Sequence, residues 1–274
     1  MCAASAPLRR IVGVIDVVAA APNGLSLSDI ATQLELPLPT AYRIVHSLID
    51  VQYLVGEGRR SQYRLGPRVL RLTQLTLGQD LLRTLCTSAM QVLADHFECS
   101  CFVTRLVNKA PQLVVTVLPR RSKRTVVHPG HEFPINAASS GKVLFAFQPD
   151  LTVRSLANYR FRKYRPKTIV EPDRVYAMLK QVRRDGYAVS DDELDAGVYA
   201  VSVPISVEGV GIMYTLGIVG LRDSLLSKAR TNDIVSRLCK GAGLIARSLR
   251  KPLSSARLVA SSWNSNNSQM RGVS

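Results

Sequence analysis

Apolar side chains return every three or four residues near the start of the chain. Leu8, Ile11, Val12, Ile15, Val18 and Ala19 share one face of a first helix, which Pro22-Asn23-Gly24 stops with turn chemistry. Ser26 stands three residues before Asp29, close to a capping box, and opens a second helix with Leu27, Ile30, Ala31 and Leu34 on one face. A short link, Glu35-Leu36-Pro37-Leu38, leads to a third helix. Pro39 suits its first position, where no N–H is needed. There Ala41, Ile44, Val45, Leu48 and Ile49 form a complete buried stripe, and Thr40, Tyr42, Arg43, His46, Ser47 and Asp50 take the other face. Tyr53-Leu54-Val55 and Gln62-Tyr63-Arg64-Leu65 read as two short strands around the turn Gly56-Glu57-Gly58-Arg59-Arg60.

This order of elements is that of a winged helix-turn-helix. A helix fits the major groove, and side chains from its first turns reach base edges. The residues expected on DNA are Thr40, Ala41, Tyr42, Arg43 and His46 of the third helix, Ser28 of the second, and Arg59, Arg60 and Gln62 of the wing. A three-helix domain for protein contacts accounts for the stripes equally well, but not for a basic hairpin in this place.

After Gly66-Pro67, the apolar residues Val69, Leu70, Leu72, Leu75 and Leu77 predict a linker helix with more apolar surface than one packing face uses. Either a partner chain covers the remainder, making a dimer, or the helix packs on its own second domain. Leu82, Leu85, Ala89, Val92 and Leu93 mark another helix. Strands are expected at 101–107, 112–118, 187–190, 199–206 and 211–220, a short helix at 142–147 and a long one at 224–250. Strands between flanking helices make an α+β layer domain. Beyond Pro252 the chain turns to Ser and Asn, which predicts a disordered tail. The expected organisation is a DNA-binding domain at 6–66, a linker helix at 67–79, a second domain at 80–252 and the tail at 253–274.

The net charge of +16 favours a polyanionic partner, yet residues 1–71 carry only +3 while residues 131–190 carry +6. Within that second stretch, Arg160, Arg162, Lys163, Arg165 and Lys167 interleave with Tyr159, Phe161 and Tyr164. Such a pattern suits either a solvated or subunit-contact surface or a second nucleic-acid surface. Five cysteines, of which only Cys99 and Cys101 are close, and four scattered histidines form no ligand ladder, so no metal or cofactor is expected. No apolar run is long enough for a membrane span. Asp16 interrupts the run 11–21, so no signal peptide is read and a cytoplasmic location is expected.

The segments LSLSDIATQLELP, TAYRIVHSL and YRLGPRVLRL, followed by FPINAASSGKVLFA, GYAVSDDELDAGVYAVSVPI and GIVGL, resemble the IclR family of bacterial transcriptional regulators. The resemblance spans roughly residues 8–250. It implies a winged helix-turn-helix, a linker helix and a C-terminal sensor domain of GAF-like or profilin-like architecture, with an antiparallel sheet and flanking helices. It also implies operator DNA and a small-molecule effector as partners, homodimers or tetramers, and an effector that favours one of two sensor conformations, changing the spacing of paired DNA domains through the linker helices. Three positions of this first domain depart from the family's pattern: Leu38 and Pro39 stand where a basic residue and a serine are common, and Gln52 where a glycine is.

Two segments are candidates for the effector. In 133–142, small residues at a helix start leave backbone N–H groups free for a carboxylate, and serines add hydroxyls. The plain alternative is helix capping. The resemblance implies pocket roles for Phe133, Ser139, Ser140 and the adjoining Gly141. The second segment, 190–198, holds four carboxylates, a pattern that fits a metal site or, more often, a solvated loop. The resemblance implies effector contacts at Ser190, Asp191 and Val198 and on the strands that follow, at Ala200, Gly217 and Val219. Ser190 replaces a frequent acid, Ala200 a cysteine seen in several members, and Gly217 and Val219 frequent serines. That change predicts an aromatic or otherwise extended carboxylate controlling a catabolic operon. An enzyme is the rival class, but no G-x-S-x-G, S-x-x-K, Walker or zinc motif is present. An effector-independent nucleic-acid-binding protein would leave the large second domain unexplained.

Overall fold

The computed structural model describes residues 6–21, 23–56, 62–75, 77–107, 110–121, 132–148, 156 and 159–269, and the side chains of these except 73–75 and 251–269. The chain divides into two compact units, one of Met1–Leu77 with Arg250–Ser274, the other of Gly78–Leu249.

The first unit is built from α1 (Ala6–Ala20), α2 (Leu27–Gln33), α3 (Leu38–Asp50), β1 (Leu54–Val55), β2 (Arg64–Leu65) and α4 (Pro67–Leu75). Val14, Val18, Ile30, Val45, Leu48, Leu54 and Tyr63 form its core; in α1 the inward line runs through Val14 and Val18, whereas Leu8, Ile11 and Val12, expected inward, are exposed. The Ser26 hydroxyl accepts from the Asp29 N–H and the Asp29 carboxylate accepts from the Ser26 N–H, each at 3.2 Å, which closes the capping box of α2. β1 and β2 pair antiparallel, and Leu25 bridges Tyr63, so the hairpin gains a third segment that anchors it to the helices. Gln52 adopts φ +62°, the left-handed conformation that glycine takes at least cost. At Gly66 a Cβ would stand 2.3 Å from the Gln52 carbonyl oxygen, so this position admits no side chain.

The second unit contains α5 (Gln79–Phe97), β3 (Ser100–Val107), β4 (Ala110–Val117), α6 (Ser139–Ala146), α7 (Pro172–Asp185), β5 (Ala188–Asp191), β6 (Val198–Val207), β7 (Gly211–Leu221), α8 (Arg222–Lys228) and, as far as Leu249, α9 (Thr231–Gln269). The strands form one antiparallel sheet in the order β4-β3-β7-β6-β5. On one face lie α5 and α9, where Gly241 lets α9 close on Leu93 and on Leu216 of β7. On the other face α6 lies across the strands and α7 packs against α6, around Ile135, Val143, Ala146, Val175, Leu179 and Ala188.

Four expectations are corrected. α3 begins at Leu38, with Pro37 as N-cap and Pro39 in the second position, another place where a missing N–H costs nothing. α6 begins at Ser139 instead of Lys142, because Pro134 O accepts the Ala138 N–H and turns the chain early. The helix expected at 224–250 is two, parted where Ala229 turns to an extended φ of −154°. The backbone of α9 continues as helix through 251–269, where composition predicted disorder. Elongating an existing helix needs no new nucleus, so the Ser- and Asn-rich sequence can be carried along.

Candidate functional site

In the first unit α3 presents a polar face because its apolar stripe is inward. Tyr42 and Arg43 are exposed, Thr40 and His46 half-buried. The Tyr42 and His46 rings, one turn apart, lie 4.1 Å between centroids at 38°. Ser28 on α2 and Gln62 before β2 are exposed. Ala41 is fully buried, so its expected place on DNA is corrected: it belongs to the stripe that packs α3. Arg59 and Arg60 lie outside the described residues.

In the second unit strand register sets the other site. Directly opposed residues of an antiparallel sheet point to one side and neighbours along a strand alternate. Ser190, Ala200, Val219 and Ser100 therefore make one row on the α6 face, and Ala188, Ser202, Gly217, Phe102 and Thr116 the next. Phe102, Leu113, Phe133, Ala138, Ala200 and Val219 pack as one apolar cluster, with Leu194 and Val198 at its edge. The Ser139 hydroxyl, at the start of α6, lies 2.8 Å from that of Ser202 on the sheet. Phe133, Ser139, Ala200, Val219 and Val198 are thus gathered in one place, with Ser140 beside Ser139 and Ser190 on the adjoining strand.

Three expected effector residues are placed otherwise. Gly217 is roofed: a Cβ there would stand 2.5 Å from the tip of the Phe102 ring and from Ser202 Oγ. Phe102 occupies the volume a serine would take, so this substitution opens no room for a ligand. Gly141 backs onto Pro134, whose carbonyl oxygen would lie 2.5 Å from a Cβ, and its role is to let α6 approach that backbone. Asp191 follows Ser190 on β5 and takes the opposite side; its carboxylate is held by Arg222 at 2.8 Å and Lys167 at 3.3 Å. Burial works against this charge, but the two cations outweigh it and keep the carboxyl below its ordinary range.

In the acidic run Asp195 is exposed, while Asp191, Asp192 and Glu193 are half-buried and held by cations. Asp192 pairs with Arg165 at 3.6 Å and accepts the Gly197 N–H, and Glu193 reaches Lys142. Among the described residues no group of three His, Cys, Asp or Glu side chains is placed to hold a metal. Lys142 is the group that sequence reasoning missed. Its ammonium is buried, 2.6 and 2.7 Å from the two Glu193 oxygens and 2.8 Å from the Val189 carbonyl. Burial pushes Lys142 down and Glu193 up, each against the opposing pull of its partner. The available signal was a single cation in a short helix otherwise of small and apolar residues. Arg165 and Lys167 of the basic-aromatic stretch are spent on the same loop. Tyr159 stacks on Phe161 at 5.8 Å, and Arg162 sits 5.2 Å over Tyr164. Cys86, Cys99 and Cys101 are buried thiols, the first two pushed up to about 12 by burial.

The IclR helix-turn-helix domain model matches residues 7–58, and the bacterial transcriptional regulator IclR C-terminal model matches residues 74–247. The chain belongs to the IclR family of bacterial transcriptional regulators. It is a DNA-binding transcriptional regulator of that type. The glycerol operon regulatory protein of Streptomyces coelicolor is 26% identical over 250 residues, covering 91% of this chain and 97% of that one. The Pca regulon regulatory protein of Pseudomonas putida is 26% identical over 200 residues, covering 72% and 68%. An IclR homologue from Microbacterium hydrocarbonoxydans, solved in complex with 4-hydroxybenzoate, shares the fold with a TM-score of 0.56 at 22% identity, covering 90% of this chain and all of that one. Among the described residues no helix is long and apolar enough to cross a membrane.

Proposed function

We propose that this IclR-type regulator switches a catabolic operon in response to an aromatic or otherwise extended carboxylate bound between α6 and the sheet. The observation that carries the reading is the apolar cluster of Phe102, Phe133, Ala138, Ala200 and Val219, bordered by the hydroxyls of Ser139, at the start of α6, and of Ser202, on β6. Free backbone N–H groups and hydroxyls at a helix start suit a carboxylate, and the apolar cluster suits the body of the molecule. The Pca and glycerol regulators among its relatives, and the 4-hydroxybenzoate held by a homologue of the same fold, support an organic effector and a catabolic target. On DNA, Tyr42, Arg43, Thr40 and His46 face base edges, with Ser28, Gln62 and the wing arginines on the backbone, and the active species is a homodimer or tetramer.

Fluorescence anisotropy on a duplex from upstream of the protein's own gene tests this. Salt-dependent, sequence-selective binding is expected, weakened by Arg43→Ala. Added 4-hydroxybenzoate or benzoate should change the operator affinity by about 5- to 150-fold, the usual range of coupling between sites. A response to glyoxylate or pyruvate with none to aromatic acids overturns the effector class. Binding indifferent to sequence and to every acid overturns the regulator's switch.

A further inference from the structure

Among the described residues, the buried side-chain hydroxyls without a hydrogen-bond partner are those of Thr104, Thr116 and Thr215. All three fall around one ring. Thr116 is directly opposite Phe102 on β4, Thr104 is two residues along β3 on the same side, and Thr215 is directly opposite Thr104 on β7. They therefore share the α6 face with the apolar cluster. A buried hydroxyl left unmade is costly, and the isosteric valine fits a strand at least as well. Three such hydroxyls gathered on the floor of a ligand site are not accounted for by packing.

Resting on the effector site proposed above, we propose that Thr104 and Thr215, with Thr116 beside them, form a second polar subsite that binds a hydroxyl at the end of the effector remote from its carboxylate. The spacing matches. Ser202, partner of Ser139 at the carboxylate end, is directly opposite Gly217, and Thr215 is two residues further along the same strand. Two strand residues span about 6.7 Å, close to the length of a benzene ring substituted at opposite ends. The effector is accordingly a para-hydroxylated aromatic acid. An unsubstituted ring would leave the threonines unmet, and a site built to hydrogen-bond a hydroxyl discriminates strongly against an analogue lacking it.

The test measures binding of 4-hydroxybenzoate and benzoate to the full chain by calorimetry, for wild type and the double variant Thr104→Val, Thr215→Val, with melting of both proteins without ligand. Wild type should prefer 4-hydroxybenzoate by at least about tenfold, and the preference should fall within about threefold in the variant. The unliganded variant should melt at a higher temperature, because no hydrogen bond is lost. Equal binding of both acids by wild type, or a preference unchanged in the variant, overturns the subsite while leaving the aromatic effector standing. Failure of both acids to bind overturns the aromatic effector and the subsite together. A variant that melts lower assigns the threonines a structural role and also overturns the subsite.

Discussion

Removing the carboxylate of Glu193 should unfold the second unit far more readily than removing both members of its ion pair. Lys142 and Glu193 have side chains only 4% and 14% exposed, and both carboxylate oxygens lie within 2.7 Å of the ammonium. Glu193→Gln leaves a buried cation with one carbonyl and a neutral amide, and breaking such a pair costs about 3–5 kcal/mol. For a unit the size of Gly78–Leu249 this lowers Tm by roughly 6–20 °C, at 2–4 °C per kcal/mol. The double variant Lys142→Met, Glu193→Leu removes charge and desolvation cost together and should be near wild type or more stable. pH gives an independent reading. Burial lowers Lys142 below its ordinary value of 10.5 in the fold, so the unfolded chain binds more protons between the two values and stability rises with pH across that window. Without Glu193 the lowering grows, so the deficit of Glu193→Gln should shrink as pH climbs toward 10.5. Thermal melts of the three proteins from pH 7 to 10 make the measurement. A single variant within about 1 kcal/mol of wild type, or a double variant worse than the single, refutes the reasoning.

Other outcomes follow from local geometry. Gly141→Ala places a methyl 2.5 Å from the Pro134 carbonyl oxygen, backbone that yields poorly, and should cost about 1–3 kcal/mol in a denaturant melt. Ser26→Ala opens the capping box of α2 and should lower the stability of the first unit by about 1 kcal/mol, read by hydrogen exchange of the α2 amides. The Arg120 backbone N–H, 2.8 Å from Asp95, and the Gln91 amide hold that carboxyl below 3.8. Its contribution is complete above 3.8 and is lost as pH falls through the lowered value, so a carbon-13 titration should place its midpoint below 3.8.

Helical faces were legible because a stripe at 3.6-residue spacing is a local property. Val18, Ile30, Val45 and Leu48 were all read as inward, and all four are core, whereas in α1 the buried Val14 was not read and Leu8, Ile11 and Val12, read as inward, are exposed. The strands of the sheet were legible for the same reason, to within two residues at their ends. Ala41 shows the limit: it opens the apolar stripe of the helix expected on DNA, and the same periodicity that buries it should have removed it from the list. Gly217 shows another. A glycine where relatives carry serine reads as vacated space until Phe102, more than a hundred residues earlier, is seen lying in it. The acidic run at 191–193 was legible as charge but not as a set of partners, since Lys142, Arg165, Lys167 and Arg222 come from distant segments.

The sequence by itself determined the helices of the first unit, the strands of the sheet, the polar face of α3 and the family, because periodicity, turn chemistry and motif order are written along the chain; it did not give α7 or the break between α8 and α9. Only the tertiary structure decided which side chains share a site. The row from Ser190 to Ser100, the three threonine hydroxyls around Phe102 and the pairing of Lys142 with Glu193 are set by strand register and by the way α6 crosses the sheet. Register joins residues whose separation in sequence carries no information about their distance in space, and it is at those junctions that the proposed effector site of this regulator lies.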